Sequence, residues 1–381
     1  MASAIPQQRL AEILREARAR TGVPAVAAGI LAGGRVELAA DGPVDVETPF
    51  RIASITKWFT ASLAALLLDL EASSSTGPSV ARLLSHTADL RPNSREPLPE
   101  PCRGLWSYSN AGFVLAGREC EAVADTSFSA AVEERLLDPL GLEQTSFEEP
   151  PGAASGHVQE GATGQRPIRD VVYPESRRAA GGLWSTVGDL LRFAGHQLGG
   201  PGPLSGAELR AVHEPRAEAL GGRYCLGCWS RRLAGGRVAF DHEGSVGGYQ
   251  SLLLLVPEEQ TALAVLTNSW RGSGLIRRVV GELGLVPAAP EAAGDEQIAP
   301  GRYELDDTVA VLAERDGRWR VAESETDPLT GFRIERPEYA VEALGNGVYG
   351  FAGGLLMGHR VDFPRAGVAR VGWTALPGAG S

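Results

Sequence analysis

The chain almost lacks lysine. Lys57 is the only lysine among 381 residues, and all other Lys-or-Arg positions are arginine. An exposed cation could be arginine, but a base could not, because guanidinium stays protonated whereas a desolvated amine can lose its proton. Lys57 follows Ser54 by three residues. The sequence therefore predicts that Lys57 is retained for its titratable nitrogen beside a hydroxyl.

Basic residues are also outnumbered by acidic ones. The 36 basic and 47 acidic residues give a formal net charge of −11, and the arginines form only short pairs. This balance disfavours nucleic acid and anionic membrane as partners. The N-terminus lacks the cationic start and apolar run of a signal peptide. No segment reaches the ~18 consecutive apolar residues of a membrane helix. We therefore expect a cytoplasmic location.

Cysteine is sparse, which fits a reducing compartment. The four cysteines are Cys102, Cys120, Cys225 and Cys228. The last two match C-x-x-C, but no second pair and no histidine cluster accompanies them, so we predict neither a zinc nor a redox site. We interpret residues 224–229 as a strand that carries small residues. No metal and no cofactor is expected.

The hydrophobic pattern places strands at both ends of the range 1–285 and helices between them. A hairpin is predicted over 23–40, a helix over 54–70 and strands at 238–242, 249–256 and 261–267. The predicted fold class is therefore α+β, with one antiparallel sheet built from distant parts of the chain and flanked by helices.

The predicted organisation has three parts. Residues 1–285 form the catalytic domain, with a helical subdomain inserted at about 60–220. Residues 286–299 are a linker by their Pro- and Ala-rich composition. Residues 300–381 form a small β-rich domain, near the low end of domain size.

Ser54 and Lys57 have the spacing of neighbours on one helix face. Ser54 is predicted at the helix start, where free backbone N–H groups favour a developing anion. A buried lysine can lose its charge and activate the hydroxyl. The S-x-x-K pattern alone is common by chance, and its plain alternative is an ordinary amphipathic helix. The absence of every other lysine argues against that alternative.

A second pattern, Tyr108-Ser109-Asn110, begins 51 residues after Lys57. With it the chain resembles the serine penicillin-recognising family, which contains class C β-lactamases, DD-peptidases and related esterases and aminopeptidases. S-x-x-K is a signature of that family. The resemblance implies a β-lactamase/DD-peptidase-like fold. It also implies that Tyr108 shuttles a proton and that Asn110 contacts substrate and Lys57.

A third pattern, His242-Glu243-Gly244, matches the H-x-G that esterase and aminopeptidase branches carry on the strand beside the serine. The resemblance implies that His242 orients substrate and that Gly244 lets the substrate backbone approach. It also implies an oxyanion hole from the backbone N–H groups of Ser54 and Ser245. Glu243 would repel an anionic substrate if it faced the pocket, but alternation along a strand could turn it away.

The resemblance implies a serine acyl-transfer enzyme acting on a small-molecule ester or amide. Water, or an amine or alcohol acceptor, would take the acyl group, as in the family's transacylases and peptide cyclases of antibiotic pathways. A β-lactamase, D-aminopeptidase or DD-peptidase is the alternative, and a non-catalytic acyl-peptide-binding homologue is the second. The C-terminal region resembles the lipocalin-like appendage of some members. The sequence leaves open whether Lys57 or Tyr108 is the base, and it does not indicate the oligomeric state.

Overall fold

A computed structural model describes the chain except for 1–5, 161–163, 169–170, 289–299 and short stretches of the C-terminal region. The described residues are 6–160, 164–168, 171–288, 300–306, 308–326, 333–335, 338–345, 348–351, 359–365, 368–371 and 374–378. Within them, no helix is both long and apolar enough to cross a membrane.

The larger domain is built on an antiparallel sheet of eight strands. In spatial order the strands are β2 (Arg35–Asp41), β1 (Val26–Ala32), β12 (Thr261–Thr267), β11 (Tyr249–Val256), β10 (Val238–Val246), β9 (Trp229–Arg232), β8 (Gly222–Tyr224) and β7 (Ala217–Ala219). The N-terminal hairpin therefore pairs with a strand from far along the chain, Val26 lying opposite Thr267. This confirms the predicted α+β class and the assembly of one sheet from distant segments.

Ten helices occur among the described residues. They are α1 (Gln7–Thr21), α2 (Thr56–Leu67), α3 (Val80–Leu84), α4 (Asn110–Ala124), α5 (Phe128–Val132), α6 (Asp138–Leu140), α7 (Arg178–Gly181), α8 (Val187–Gln197), α9 (Gly206–His213) and α10 (Gly272–Glu282). Short strands β3 (Phe50–Arg51) and β6 (Trp184–Ser185) pair, as do β4 (His157–Glu160) and β5 (Gly164–Pro167).

Both faces of the central strands are covered, which explains their continuous apolar sequence. Along β11, Leu253 and Leu255 join the core beneath the inserted helices, while Leu252 and Leu254 join the core beneath α1 and α10. Side chains alternate between the faces of a strand. Each face must therefore be apolar, and the run Leu252–Val256 results. His242 and Gly244 are two residues apart on β10 and therefore share one face of the sheet. His242 lies opposite Leu253, so this is the face that the inserted helices cover.

The C-terminal region forms a second antiparallel sheet. Its strands are β13 (Gly301–Leu305), β14 (Thr308–Arg315), β15 (Arg318–Thr326), β16 (Arg333–Glu335), β17 (Tyr339–Gly345), β18 (Val348–Phe351), β19 (His359–Arg365), β20 (Val368–Val371) and β21 (Thr374–Pro377). Tyr303 forms a bridge with Gly378, so the first strand meets the end of the last. The predicted β-rich character is confirmed. The lipocalin-like interpretation stays a prediction.

A loop of the larger domain completes the core of this second sheet. Leu98 and Cys102, both fully buried, pack with Tyr303 and Leu376. The backbone N–H of Ala375 donates to Ser107 Oγ at 3.2 Å. The C-terminal sheet is thus packed on the segment that leads into Tyr108. The division into 1–285, 286–299 and 300–381 stays a prediction, and most of the linker lies outside the described residues.

The strand predicted at 224–229 is wrong. β8 ends at Tyr224 and β9 begins at Trp229, and the residues between them turn, with a 2.8 Å bond from Cys225 N to Cys228 O. Gly227, with φ of +74°, is the residue that permits this turn. Cys225 and Cys228 are both buried and not disulfide-bonded. Helix α9 was also missed by the sequence analysis.

Candidate active site

Ser54 is the one point at which a buried segment opens toward solvent. Every residue from Pro49 to Ala64 is buried except Ser54, which is half-buried. It lies in a 3₁₀ turn, Ala53–Ile55, that leads into α2, so the helix begins two residues later than predicted. Ala53 has φ of +48°. A non-glycine residue in this region is strained and persists only when its surroundings enforce it. The turn is therefore held in place by its packing.

The segment before Ser54 is fixed from two sides. The amide of Ile52 donates to the Leu183 carbonyl at 3.0 Å, which extends the β3–β6 pairing. The Ile52 carbonyl accepts from Ser251 Oγ at 2.9 Å, which ties it to β11. A Cβ on Gly244 would collide with this same carbonyl oxygen. The close approach that Gly244 permits in this structure is therefore that of the chain before Ser54.

Lys57 lies directly beneath Ser54 and has no exposed surface. Its Nζ is 3.2 Å from Ser54 Oγ, 2.8 Å from Asn110 Oδ1 and 2.5 Å from the Ala180 carbonyl oxygen. Burial lowers its pKa well below the ordinary value, and the charge of Arg177 lowers it further. Desolvation disfavours the ammonium form. The environment of Lys57 therefore favours the neutral amine.

Tyr108 and Asn110 reach the same place from the start of α4. Ser109 caps this helix by accepting from Gly112 N at 3.2 Å, which turns Asn110 into the first helical residue. The Tyr108 ring centroid lies 4.8 Å from Lys57 Nζ. Burial raises the pKa of the Tyr108 phenol far above its ordinary range, while a hydrogen bond with Ser54 acts in the opposite direction. The phenol is therefore protonated at neutral pH.

His242 lies behind this group and is itself fully buried. Its Nε2 is 3.1 Å from the Tyr224 hydroxyl, which is also 3.1 Å from His86 Nε2. Because His86 Nδ1 accepts from Ser109 N, its Nε2 carries the proton and donates to Tyr224, whose O–H then donates to His242. His242 Nδ1 donates to the Glu243 carbonyl at 2.7 Å. The bonds run in one direction through two neutral imidazoles.

The surroundings of His242 disfavour its protonated, charged form. Burial lowers its pKa to about 3, and the nearby Lys57 adds to the decrease. His86 is likewise buried, with its pKa lowered by burial. His242 is therefore adjacent to the site as a neutral imidazole whose Nε2 already accepts a hydrogen bond from the Tyr224 hydroxyl. Its predicted contact with substrate stays a prediction.

Glu243 turns away from Ser54. It alternates with His242 and Gly244 along β10 and is 2% exposed. Its charge raises the pKa of Arg277 on α10 against the larger lowering by burial. The carboxylate thus lies on the α10 side of the sheet. Ser245, the next residue, is exposed at the end of β10, and its Oγ accepts from Gln250 at 2.8 Å. Its role in an oxyanion hole stays a prediction.

The structure brings together four of the predicted residues, Ser54, Lys57, Tyr108 and Asn110. The sequence analysis missed four residues, of which Ala180 lies in the short helix α7 and the others lie on loops or turns: Asn93, Arg177 and Gly227. Among the described residues, no group of three or more His, Cys, Asp or Glu side chains is arranged to hold a metal ion.

A half-buried serine on a strained turn lies above a desolvated lysine and beside a phenol and an amide, so a hydroxyl and a neutral amine are within hydrogen-bond reach of each other. Comparison with known proteins shows the family to which the chain belongs. Residues 10–279 match the family model described as Beta-lactamase. The chain therefore belongs to the beta-lactamase family, and the predicted resemblance is confirmed.

Curated relatives match about half of the chain. Penicillin-binding protein 4 of Amycolatopsis lactamdurans is 30% identical over 233 residues, which cover 52% of this chain and 60% of that protein. A Beta-lactamase of Providencia stuartii is 26% identical over 234 residues, covering 50% of this chain and 60% of the relative. The chain thus covers less than two thirds of the length of either relative.

Solved structures extend the likeness to the second sheet. SurE matches with a TM-score of 0.75 at 23% identity, over 98% of each chain. A D-stereospecific amidohydrolase from Streptomyces sp. matches with a TM-score of 0.63 at 22% identity, over 72% of this chain and 98% of its own. These identities show the fold alone. The difference in coverage shows that the larger domain is common to both, and that SurE also matches the C-terminal region.

Proposed function

We propose that the chain is a serine acyl-transfer enzyme that forms an acyl-enzyme at Ser54 from an ester or amide. The observation that carries the proposal is the 3.2 Å contact between Ser54 Oγ and a fully buried lysine amine. Ser54 is the group that substrate can reach, and Lys57 is the group that can accept its proton. A nucleophile with a base in hydrogen-bond reach is the minimum set for this chemistry.

The proposed first step is acylation. The Ser54 hydroxyl proton passes to Lys57 Nζ while Oγ forms a bond to the substrate carbonyl carbon. The oxyanion is held by the backbone N–H groups of Ser54 and Ser245. When the carbonyl re-forms, the bond to the leaving group breaks, and that group takes up the proton by way of Tyr108.

The second step reverses the first with a different nucleophile. Water, or an amine or alcohol acceptor, gives its proton to the same pair and attacks the ester carbon. The bond to Ser54 then breaks, and Oγ regains a proton. Asn110 holds Lys57 throughout through its amide oxygen and presents one of its two amide N–H bonds to the substrate. If water is the acceptor, the enzyme is a hydrolase. If an amine or alcohol is the acceptor, the enzyme is a transacylase, and we propose that it then acts in natural-product biosynthesis.

The neutral state of His242 indicates which class of substrate the site favours. β-Lactamases carry K-T-G where this chain has H-x-G, and that lysine supplies a cation for the substrate carboxylate. Here burial lowers the pKa of His242 to about 3, and its Nε2 accepts a hydrogen bond from Tyr224. This supports an ester or amide without a carboxylate at that subsite, and it disfavours the β-lactamase and DD-peptidase alternative. One structural neighbour is described as a D-stereospecific amidohydrolase and another as SurE with D-Leu. D-aminoacyl esters therefore belong in the test panel.

A fluorophosphonate probe tests the nucleophile. We expect one label per chain for the wild type and none for Ser54→Ala, which removes only the hydroxyl. Labelling should slow when Lys57 is replaced, because the base is lost. A folded wild type that takes no label would overturn the proposal and favour a binding homologue without turnover.

A substrate panel tests the reaction. Activated L- and D-aminoacyl esters, the matching amides and a chromogenic cephalosporin are assayed with and without an added amine. We expect ester turnover to exceed cephalosporin turnover, with amide product increasing as amine is added. Hydrolysis of the cephalosporin faster than any ester would reverse the assignment of substrate class. A product ratio that does not respond to amine would make the enzyme a hydrolase.

A further inference from the structure

The polar network of the site does not end at Asn110. The amide nitrogen of Asn110 donates to Asn93 Oδ1 at 2.9 Å. A guanidinium nitrogen of Arg177 donates to the same oxygen at 2.7 Å. Asn93 is exposed and Arg177 is half-buried, so both lie at the rim above the buried lysine. The side chains of Asn110 and Asn93 thus connect Lys57 to the guanidinium of Arg177 on a distant segment of the chain.

The donors and acceptors of this network have a fixed direction. A guanidinium has only N–H donors, so Arg177 requires the amide oxygen of Asn93 on its side. That oxygen in turn draws the amide nitrogen of Asn110, and the oxygen of Asn110 is left facing Lys57. Each orientation follows from the one before it, beginning with a group that cannot accept a hydrogen bond.

These orientations determine the direction in which the lone pair of the Lys57 amine points. A neutral lysine has two N–H bonds and one lone pair. The Asn110 oxygen at 2.8 Å and the Ala180 carbonyl at 2.5 Å can only accept, so they take the two N–H bonds. The remaining contact is Ser54 Oγ at 3.2 Å. The lone pair therefore faces the hydroxyl from which a proton must be removed.

We propose that Arg177 is a positioning residue that, through Asn93 and Asn110, aims the lone pair of Lys57 at the Ser54 hydroxyl. The inference rests on the proposed acyl transfer at Ser54. It also assigns proton abstraction in acylation to Lys57 rather than to Tyr108. Arg177 acts at a distance and need not touch the substrate.

The charge of Arg177 works in the same direction as its hydrogen bond. After burial, it is the second cause that lowers the pKa of Lys57. A nearby cation disfavours a second positive charge. Three other titratable groups interact directly with this amine: Tyr108, His86 and His242. Tyr173, Tyr224 and Glu243 interact in turn with Tyr108.

The test is the pH dependence of kcat/KM with an activated ester. For Arg177→Met we expect the acidic limb to move to higher pH, since loss of the cation makes Lys57 easier to protonate. We also expect the alkaline plateau to fall about tenfold, because the lone pair is no longer aligned. Arg177→Lys keeps a cation and a donor and should restore both features. Rates are normalised to sites that react with fluorophosphonate.

Arg178→Met is the matched control. Arg178 is the adjacent arginine, but it pairs with Glu148 and Ser129 outside the network. We expect its pH profile to match that of the wild type. A profile for Arg177→Met that also matches the wild type would overturn the inference. So would a uniform loss at every pH that Arg177→Lys fails to restore, since that pattern indicates a structural role.

Asn93→Asp gives an independent test if the Arg177 variants fold poorly. Aspartate keeps an acceptor for both donors and adds a negative charge at the exposed rim. We expect the acidic limb to move to higher pH while the plateau stays within about threefold of the wild type. An unmoved limb would count against the inference. A wild type that neither labels nor turns over any ester would instead contradict the proposed function.

Discussion

A methyl group on Gly227 would lie 2.5 Å from the carbonyl oxygen of Lys57. The turn between β8 and β9 therefore packs against the backbone of the lysine itself, although the two segments are far apart in the chain. Gly227 has φ of +74° and also approaches Ala61 on the next turn of α2. Gly227, which has no side chain, therefore packs against the backbone of Lys57 and helps to fix the position of the buried amine.

Replacing Gly227 with alanine should damage the site and the fold together. The matched control is Gly34→Ala, which has nearly the same φ, +76°, but nothing within 4 Å of the added methyl. We expect Gly34→Ala to lower the free energy of unfolding by about 1 kcal/mol from backbone strain alone. Gly227→Ala should lose about 2 kcal/mol more and slow fluorophosphonate labelling. Urea unfolding measures the difference, and equal losses would contradict the contact.

Lys57→Arg keeps the charge and removes the base. We expect kcat/KM for an activated ester to fall by at least ~10² because guanidinium cannot accept the serine proton. Lys57→Met, of similar length and uncharged, should fall as far. Near-ultraviolet circular dichroism verifies that both variants fold. Near-native turnover by the arginine variant would mean that Lys57 serves only as a cation.

Acid should destabilise the protein through its buried histidines. Burial lowers the pKa of His213 to about 4 and of His242 to about 3, and lowers that of His86 as well. Below about pH 6.5 the unfolded chain binds protons that the native state excludes, so the free energy of unfolding falls as pH falls. Each histidine contributes up to about 1.4 kcal/mol per pH unit. Lys57, with its lowered pKa, acts in the same direction.

His213→Phe isolates one of these contributions. The ring stacks on Phe240 with centroids 4.4 Å apart, so phenylalanine should fit. Urea unfolding at pH 7 and pH 5.5 should show a slope with pH that is smaller by about 1 kcal/mol per unit than in the wild type. Identical slopes for the two proteins would show that His213 is not kept neutral by the fold.

Ser107→Ala should loosen the C-terminal sheet from the loop before Tyr108. The variant leaves the buried N–H of Ala375 without the 3.2 Å acceptor. We expect a loss of about 1–3 kcal/mol in the free energy of unfolding. Hydrogen exchange should increase at β21 and at residues 103–109, with KM changing more than kcat. Faster exchange confined to β21 would show that the sheet does not restrain the Tyr108 loop.

The part of the site that can be predicted from the sequence is the part whose residues lie close together in the chain. Ser54 and Lys57 lie within one turn, and Tyr108 and Asn110 share a short motif, so spacing and residue type were sufficient. Asn93 and Arg177 carry no such signal, because they meet 84 residues apart through a path that only the packed loops define. An exposed asparagine and one arginine among many are indistinguishable from surface residues in a sequence.

The fold showed the same limit. The runs 249–256 and 261–267 were predicted with correct bounds, since buried strands are continuously apolar. The run 224–229 was wrongly predicted as a strand, because aromatic and cysteine residues outweighed the single turn signal at Gly227. The close contact of Gly244 with the Ile52 carbonyl has no signal in the sequence, and the predicted role of Gly244 in substrate approach stays a prediction. Such contacts depend on segments that are distant in the chain.

The packing of Leu98 and Cys102 into the C-terminal sheet has a consequence for chimeras. A loop of the larger domain completes the second core, so buried contacts cross the predicted boundary near position 300. Grafting a foreign module in place of 300–381 would leave Leu98 and Cys102 facing a surface that was not shaped for them. A workable exchange would transplant the 89–107 loop with the sheet, and with it the approach to Tyr108.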